Sequence, residues 1–193
     1  MPETLRLFVA VELPGEVREA LGRLQHELQR HGLEKLRWVR PEGIHLTLKF
    51  LGETPADRVP AIEEALAGTV YWTASHKLAL GELGAFGGSR PRVLWIDLRG
   101  DLQPVEDLQG RVEASLADAG FPPEGRSWSP HLTLARVRPE TTRETATALL
   151  AALEAVRPPA GVIPIHEVSL MRSTLRPGGA VYECLAAFPF GGA

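Results

Sequence analysis

One tetrapeptide occurs twice in this chain, as His45-Leu46-Thr47-Leu48 and as His131-Leu132-Thr133-Leu134. The two copies lie 86 residues apart. The same shift places the β-rich run Arg6-Leu7-Phe8-Val9-Ala10-Val11 on a second β-rich run, Arg92-Val93-Leu94-Trp95-Ile96-Asp97. A motif and a flanking element that repeat at one offset indicate an internal duplication.

The elements predicted around the motifs repeat in the same order. Apolar residues spaced by three or four predict a helix after each first strand and another after each motif. Glycine-rich turns between β-rich runs predict a hairpin at the end of each half. The predicted helices cover residues 17–28, 57–67, 105–116 and 142–156, and the predicted hairpins join 77–83 to 92–98 and 162–171 to 181–188.

We therefore expect a single α+β domain over residues 1–193, with internal repeats at about 5–85 and 91–171. Each repeat has the order β-α-β-α-β-β, and the last strand of the first repeat also serves as the first strand of the second. No unit is a clean parallel β-α-β crossover, which favours mainly antiparallel sheets. The expected architecture is bilobal and pseudo-twofold, with the sheets lining a central cleft and the helices outside.

Charge and cysteine content limit the classes of function. The chain has a net charge of −3, so no general basic field can hold long nucleic acid and any RNA contact must be local. Cys184 is the only cysteine, which excludes an intrachain disulfide and favours a cytoplasmic location. The apolar run at 7–11 is too short for a signal sequence or a membrane span, so we expect no membrane attachment. Nothing in the sequence implies an obligate protein partner.

The repeated motif carries the chemistry. Residues i and i+2 of a strand face the same way, so His45 and Thr47 share one face while Leu46 points into the core, and the second copy does the same. Two imidazoles, one neutral and one charged, can act as the base and the acid that phosphodiester cleavage needs, without a metal. The hydroxyls of Thr47 and Thr133 can donate to the non-bridging phosphate oxygens.

Two other interpretations of the histidines compete with this one. A single His-x-Thr is more often a structural residue than a catalytic one, but the duplication favours a shared task. A zinc site would need a third ligand, and none is evident, because Arg30 follows His26-Glu27 and Leu170 follows His166-Glu167 where a second histidine would stand. We therefore expect no metal and no other cofactor.

The chain resembles the RNA 2′,3′-cyclic phosphodiesterases, historically called 2′-5′ RNA ligases, of the 2H phosphoesterase superfamily. The stretches that carry the resemblance are residues 6–14, 38–52 and 130–136. It implies metal-independent hydrolysis of an RNA terminal 2′,3′-cyclic phosphate, for example on a tRNA fragment, to a 2′-phosphate. It also implies that His45 is the proton donor and His131 the proton acceptor. The alternatives are 2′-5′ ligation by the reverse reaction and a non-catalytic module that binds a nucleotide or an RNA end.

Two basic residues near the motifs are further candidates for phosphate binding. The resemblance implies that Arg136 contacts the phosphate, although five residues separate it from His131 and an unbroken strand would turn it away from the groove. Either a bulge or the end of the strand redirects it, or its long side chain wraps around an edge of the sheet. The same alternation places Lys49 on the face of His45 and Thr47, where it could also meet phosphate or could equally be a solvated charge at the edge of a sheet. Aromatic residues beside the motifs could stack a terminal base, although burial is their commoner role: Trp38, Phe50 and Trp128.

Overall fold

A computed structural model describes residues 3–88, 90–125, 127–138, 143–177 and 179–191. Within these residues the helices are α1 (Gly15–Leu28), α2 (Val59–Val70), α3 (Gln103–Asp118) and α4 (Arg143–Ala155). The strands are β1 (Thr4–Glu12), β2 (Arg37–Trp38), β3 (His45–Pro55), β4 (His76–Phe86), β5 (Val93–Arg99), β6 (His131–Arg136), β7 (Val162–Ile165), β8 (Glu167–Arg176) and β9 (Gly179–Pro189). All four predicted helices are confirmed. Thr142, where the last of them was expected to begin, lies outside the described residues.

The strands form one curled antiparallel sheet in the order β7-β4-β5-β6-β3-β1-β8-β9, with β2 also paired to β6. The α+β class and the antiparallel strands are confirmed. The motif-bearing strands β3 and β6 are neighbours at the centre, and the order outward is β3-β1-β8-β9 on one side and β6-β5-β4-β7 on the other. The two sides therefore match, as a pseudo-twofold duplication requires.

The two sequence repeats exchange strands within this sheet. Both predicted hairpins are confirmed, since β4 pairs with β5 and β8 pairs with β9. Because its hairpin ties β4 to β5, β4 joins the side of the sheet that contains β6, although it belongs to the first half of the sequence. Strand β8 of the second half pairs with β1 in return. Each side of the sheet thus combines residues from both repeats.

One predicted strand is wrong in its extent. Residues 162–171 were expected to form a single strand, but the chain changes partners at His166, with β7 paired to β4 before it and β8 paired to β1 and β9 after it. Six strand spacings separate β7 from β8 along the sheet, roughly 29 Å if the sheet were flat. One residue spans only about two Cα steps of 3.8 Å. The sheet must therefore curl until its two sides meet at His166.

The two faces of the sheet differ. Alternate residues of β1, Leu7, Val9 and Val11, are buried in the main core, where the apolar stripe of α1 also packs. A separate small apolar cluster, Phe8, Ala10 and Met171, lies on the opposite face. We call the first the helix face and the second the motif face, because His45 and His131 contact aromatic rings there. None of the helices formed by the described residues is long and apolar enough to cross a membrane.

Candidate active site

Strand register brings the two motifs together. Leu46 pairs with Leu132 across β3 and β6, and both side chains are fully buried. Continuing this antiparallel register places His45 opposite Thr133 and His131 opposite Thr47. The two histidines are then diagonal neighbours on one face, about 7–8 Å apart. The prediction that they lie on neighbouring strands is confirmed, and the spacing suits a single phosphate between two imidazoles.

Both imidazoles are oriented by the same local hydrogen bond. His45 Nδ1 lies 2.8 Å from the Gly43 carbonyl oxygen, and His131 Nδ1 lies 2.7 Å from that of Ser129. A carbonyl oxygen can only accept, so Nδ1 carries the proton in each ring. Nε2 is therefore the atom of each histidine that can exchange a proton with a ligand.

Burial lowers the pKa of both histidines. It lowers the pKa of His45 to about 4, against the opposing effect of the Gly43 hydrogen bond, and the charge of Arg136 lowers it further. The pKa of His131 is lowered by burial and Arg136 in the same way, and the Ser129 hydrogen bond opposes this. Both shifts favour the neutral form of each imidazole in the ligand-free protein. An anionic ligand beside the rings would oppose these shifts, because it favours the charged form.

A β-bulge overturns the prediction for Lys49. Val9 pairs with Lys49 but Ala10 pairs with Thr47, so Leu48 is an extra residue in β3. The bulge reverses the alternation after Thr47 and turns Lys49 to the helix face, where it is 1% exposed. Its ammonium donates to Glu113 Oε2 at 2.5 Å and to the Pro122 carbonyl at 2.9 Å. The expectation that Lys49 faces the groove was wrong.

The equivalent bulge in β6 places Arg136 near both histidines. Leu94 pairs with Ala135 and Trp95 pairs with Thr133, which leaves Leu134 as the extra residue. Arg136 returns to the motif face, and its charge lowers the pKa of His45 and of His131. Of the explanations that the sequence left open for Arg136, the structure shows the bulge. The 86-residue counterpart of Arg136 is Phe50, which is 51% exposed and packs 6.1 Å from Phe8.

Aromatic side chains form the walls around the histidines, and the sequence analysis missed these residues. Phe8 stacks on His45 at 4.6 Å between ring centroids, and Tyr182 meets the same imidazole edge-on at 5.1 Å. Phe86 lies edge-on to His131 at 4.9 Å, with Trp95 at 6.4 Å. Strand alternation in β1 is the one sequence signal that could have found Phe8, because it places Phe8 on the face opposite Leu7 and Val9.

Two of the aromatics singled out from sequence have structural roles. The indole nitrogen of Trp38 donates to the Leu33 carbonyl at 3.0 Å, and that of Trp128 donates to the Thr47 carbonyl at 2.9 Å. Both rings pack against the main core. Phe50 is the exception, because its ring is exposed on the motif face.

The segment before His131 is bonded to β3 at three points. Lys49 donates to Pro122, the amide of Phe50 donates to Glu124 Oε1 at 3.3 Å, and Trp128 donates to Thr47. These bonds position the segment that contains Ser129, whose carbonyl orients His131.

The threonine hydroxyls of the two motifs have no partner in the described part of the protein. No hydrogen bond joins Thr47 Oγ1 or Thr133 Oγ1 to another described residue. Both hydroxyls can therefore serve a ligand.

Two imidazoles and two hydroxyls on one face of the sheet suit phosphate chemistry, and comparison with known families identifies the class of protein. The family model of the LigT-like phosphoesterases matches residues 11–95 and again residues 96–182. The chain belongs to the LigT-like phosphoesterase family. The tandem match also confirms that the chain contains two repeated units, and the enzyme class is a phosphodiesterase.

Relatives resemble the chain over nearly its whole length. It is 31% identical over 185 residues to an RNA 2′,3′-cyclic phosphodiesterase of Methanothermobacter thermautotrophicus, covering 95% of this chain and 98% of the relative. An RNA 2′,3′-cyclic phosphodiesterase of Thermus thermophilus is 32% identical over 202 residues, covering 97% and 91%. The crystal structure of E. coli LigT with 3′-AMP superposes with a TM-score of 0.75 at 27% identity, covering 97% of this chain and 99% of that one.

Proposed function

We propose that this protein hydrolyses the terminal 2′,3′-cyclic phosphate of RNA to a 2′-phosphate by acid-base catalysis between His45 and His131, without a metal. The observation that carries the proposal is the matched orientation of the two rings. Each donates Nδ1–H to a carbonyl two residues earlier, which leaves Nε2 of each for the substrate. The curated relatives described above bear the corresponding name.

The proposed reaction needs one proton removed and one supplied. His131 Nε2 accepts a proton from water as the water oxygen attacks phosphorus. His45 Nε2 donates a proton to the departing 3′ oxygen, so the 2′ oxygen keeps the phosphate. This assignment agrees with the enclosure of the two rings, because His45 lies between Phe8 and Tyr182 whereas His131 is more open to water.

Other groups stabilise the negative charge that develops on the phosphoryl oxygens. We assign Arg136 and the hydroxyls of Thr47 and Thr133 to the non-bridging oxygens, whose negative charge grows in the transition state. The cyclic phosphate is itself an anion, so its binding offsets the charge of Arg136 and raises the pKa of the acid histidine. Substrate binding thus favours the uptake, from solvent, of the proton that His45 donates.

A direct assay tests the proposal. The protein is incubated with a 2′,3′-cyclic mononucleotide and with a cyclic-ended oligoribonucleotide, with and without EDTA, and the phosphate position in the product is identified. We expect a 2′-phosphate from both substrates at rates that EDTA does not change. Activity that EDTA removes and a divalent ion restores would contradict metal independence. Binding without turnover would identify a binding module, and joined ends in place of hydrolysis would identify a ligase.

A control variant separates the site from general damage. His31 is exposed beyond the end of α1, so His31→Ala should retain the wild-type rate. His131→Ala should lose nearly all turnover under the same conditions. Equal losses in both variants would argue against the proposed site.

A further inference from the structure

An arginine that the proposed reaction does not use lies directly beside Arg136. Strand β2 pairs with β6 so that Arg37 is opposite Arg136 and Trp38 is opposite Ala135. Residues opposite each other in an antiparallel pair point to the same face, so Arg37 also projects on the motif face. Both side chains are exposed.

Hydrogen bonds fix this pairing. The amide of Val39 donates to the Leu134 carbonyl at 2.9 Å. The side-chain amide of Gln25, which is buried under the strands, donates to the carbonyls of both Val39 and Leu134, at 2.8 and 3.0 Å. Arg37 and Arg136 are therefore held side by side by the backbone of two strands.

This arrangement is unfavourable without a ligand. Like charges directly opposite each other on paired strands destabilise the pair. Among the described residues neither guanidinium forms an ion pair with a carboxylate, although the chain as a whole carries an excess of acidic residues. An anion between or beside the two guanidinium groups would remove the repulsion and gain charge-assisted hydrogen bonds.

We propose that Arg37 binds the phosphate next to the terminal one in an RNA chain, as a second phosphate subsite beyond Arg136. This inference rests on the proposed function, because it takes the terminal phosphate to lie between the histidines. Arg136 affects the pKa of both histidines, whereas the charge of Arg37 is not among the causes of either shift. Arg37 therefore lies farther than Arg136 from the reacting phosphate. The subsite makes an oligonucleotide, and not a mononucleotide, the preferred substrate.

Two measurements on Arg37→Gln test the subsite. The first compares kcat/KM for a 2′,3′-cyclic mononucleotide with that for a cyclic-ended tetraribonucleotide. The second measures, by fluorescence anisotropy at several salt concentrations, the binding of a labelled tetraribonucleotide that already ends in a 2′-phosphate. Arg23→Gln is the matched control, since Arg23 is an exposed arginine on α1, away from β2 and β6.

We expect Arg37→Gln to lower kcat/KM for the tetranucleotide about 3- to 10-fold and to leave that for the mononucleotide unchanged. The slope of log Kd against log salt should fall by about 0.7, the value for one phosphate contact to a single strand. Arg23→Gln should change none of these quantities. The unfolding midpoint of Arg37→Gln should stay the same or rise, because a repulsive pair is removed.

Other results would overturn the subsite. Equal losses on the mononucleotide and the tetranucleotide would place Arg37 in the reaction itself. Unchanged tetranucleotide binding and an unchanged salt slope would show that Arg37 makes no phosphate contact. If the wild-type protein hydrolyses neither substrate, the proposed function fails, while the anisotropy measurement still decides whether Arg37 binds RNA phosphate.

Discussion

Lys49 and Glu113 form a buried ion pair between β3 and α3, with 2.5 Å between Nζ and Oε2. Lys49 is 1% exposed and the Glu113 side chain 16%. The pair lies on the helix face, directly behind the strand that carries His45. It joins the first motif to the segment that leads to the second, because Lys49 also bonds to Pro122.

Removing one partner of this pair should destabilise the fold. Lys49→Met should lower the free energy of unfolding by about 1–3 kcal/mol, because Glu113 can still reach water. Glu113→Gln should cost more, about 3–5 kcal/mol, since it leaves a fully buried ammonium unpaired. Urea denaturation measures both, with Lys35→Met, at an exposed position, as the control. If Lys49→Met unfolds like the wild type but binds substrate more weakly, Lys49 contacts the substrate after all.

Either histidine alone should be indispensable. His45→Ala and His131→Ala should each lower the single-turnover rate by at least about 10²- to 10⁴-fold, the usual contribution of a general acid or base. The double variant should be little worse than either single one, because one missing proton carrier already disables the concerted reaction. Additive losses would indicate two independent roles.

The threonines should contribute less than the histidines. Thr47→Ala and Thr133→Ala each remove one neutral hydrogen bond, at a cost of about 1–3 kcal/mol in transition-state binding. A measurable rate should therefore remain in both, and the comparison of kcat/KM with the wild type gives the value. A loss as large as that of His45→Ala would assign a threonine a direct part in proton transfer.

Activity should depend on pH differently in the free and bound protein. Burial and Arg136 lower the pKa of both histidines, so the fraction of free protein with a protonated acid falls as pH rises through neutrality. The profile of kcat/KM, which reports the free protein, should have its optimum below pH 6.5. The profile of kcat should extend to higher pH, because bound phosphate raises the pKa of the acid. Coincident profiles centred at pH 7 would contradict this scheme.

Stability should also depend on pH through His45. Its pKa is 6.5 in the unfolded chain and about 4 in the fold, so between these values the unfolded chain binds the extra proton. The free energy of unfolding therefore falls as pH drops from 6.5 to 4, by at most about 3.5 kcal/mol from this group, at about 1.4 kcal/mol per pKa unit. The free energy of unfolding is measured for the wild type and for His45→Gln across this pH range, and the difference between the two isolates the contribution of His45. A constant difference would mean that His45 titrates normally.

The sequence predicted the duplication, the helices and the neighbouring motif strands, because these follow from apolar spacing and from one repeated offset. It failed at Lys49 and was undecided at Arg136 for a common reason. Strand alternation holds only while each residue has one partner on the neighbouring strand. Leu48 and Leu134 are extra residues only because of how β1 and β5 pair with their strands, and this pairing cannot be read from the motif strands alone. The pairing of Arg37 with Arg136 and the contact of Tyr182 with His45 are likewise products of tertiary structure.

The passage from β7 to β8 through His166 has a mechanical consequence for the site. A single residue links strands that belong to the two sides of the sheet. Moving these sides apart would stretch a covalent link that has no slack. We therefore expect the two sides to move as one body and the separation of β3 from β6 to change little when a ligand binds.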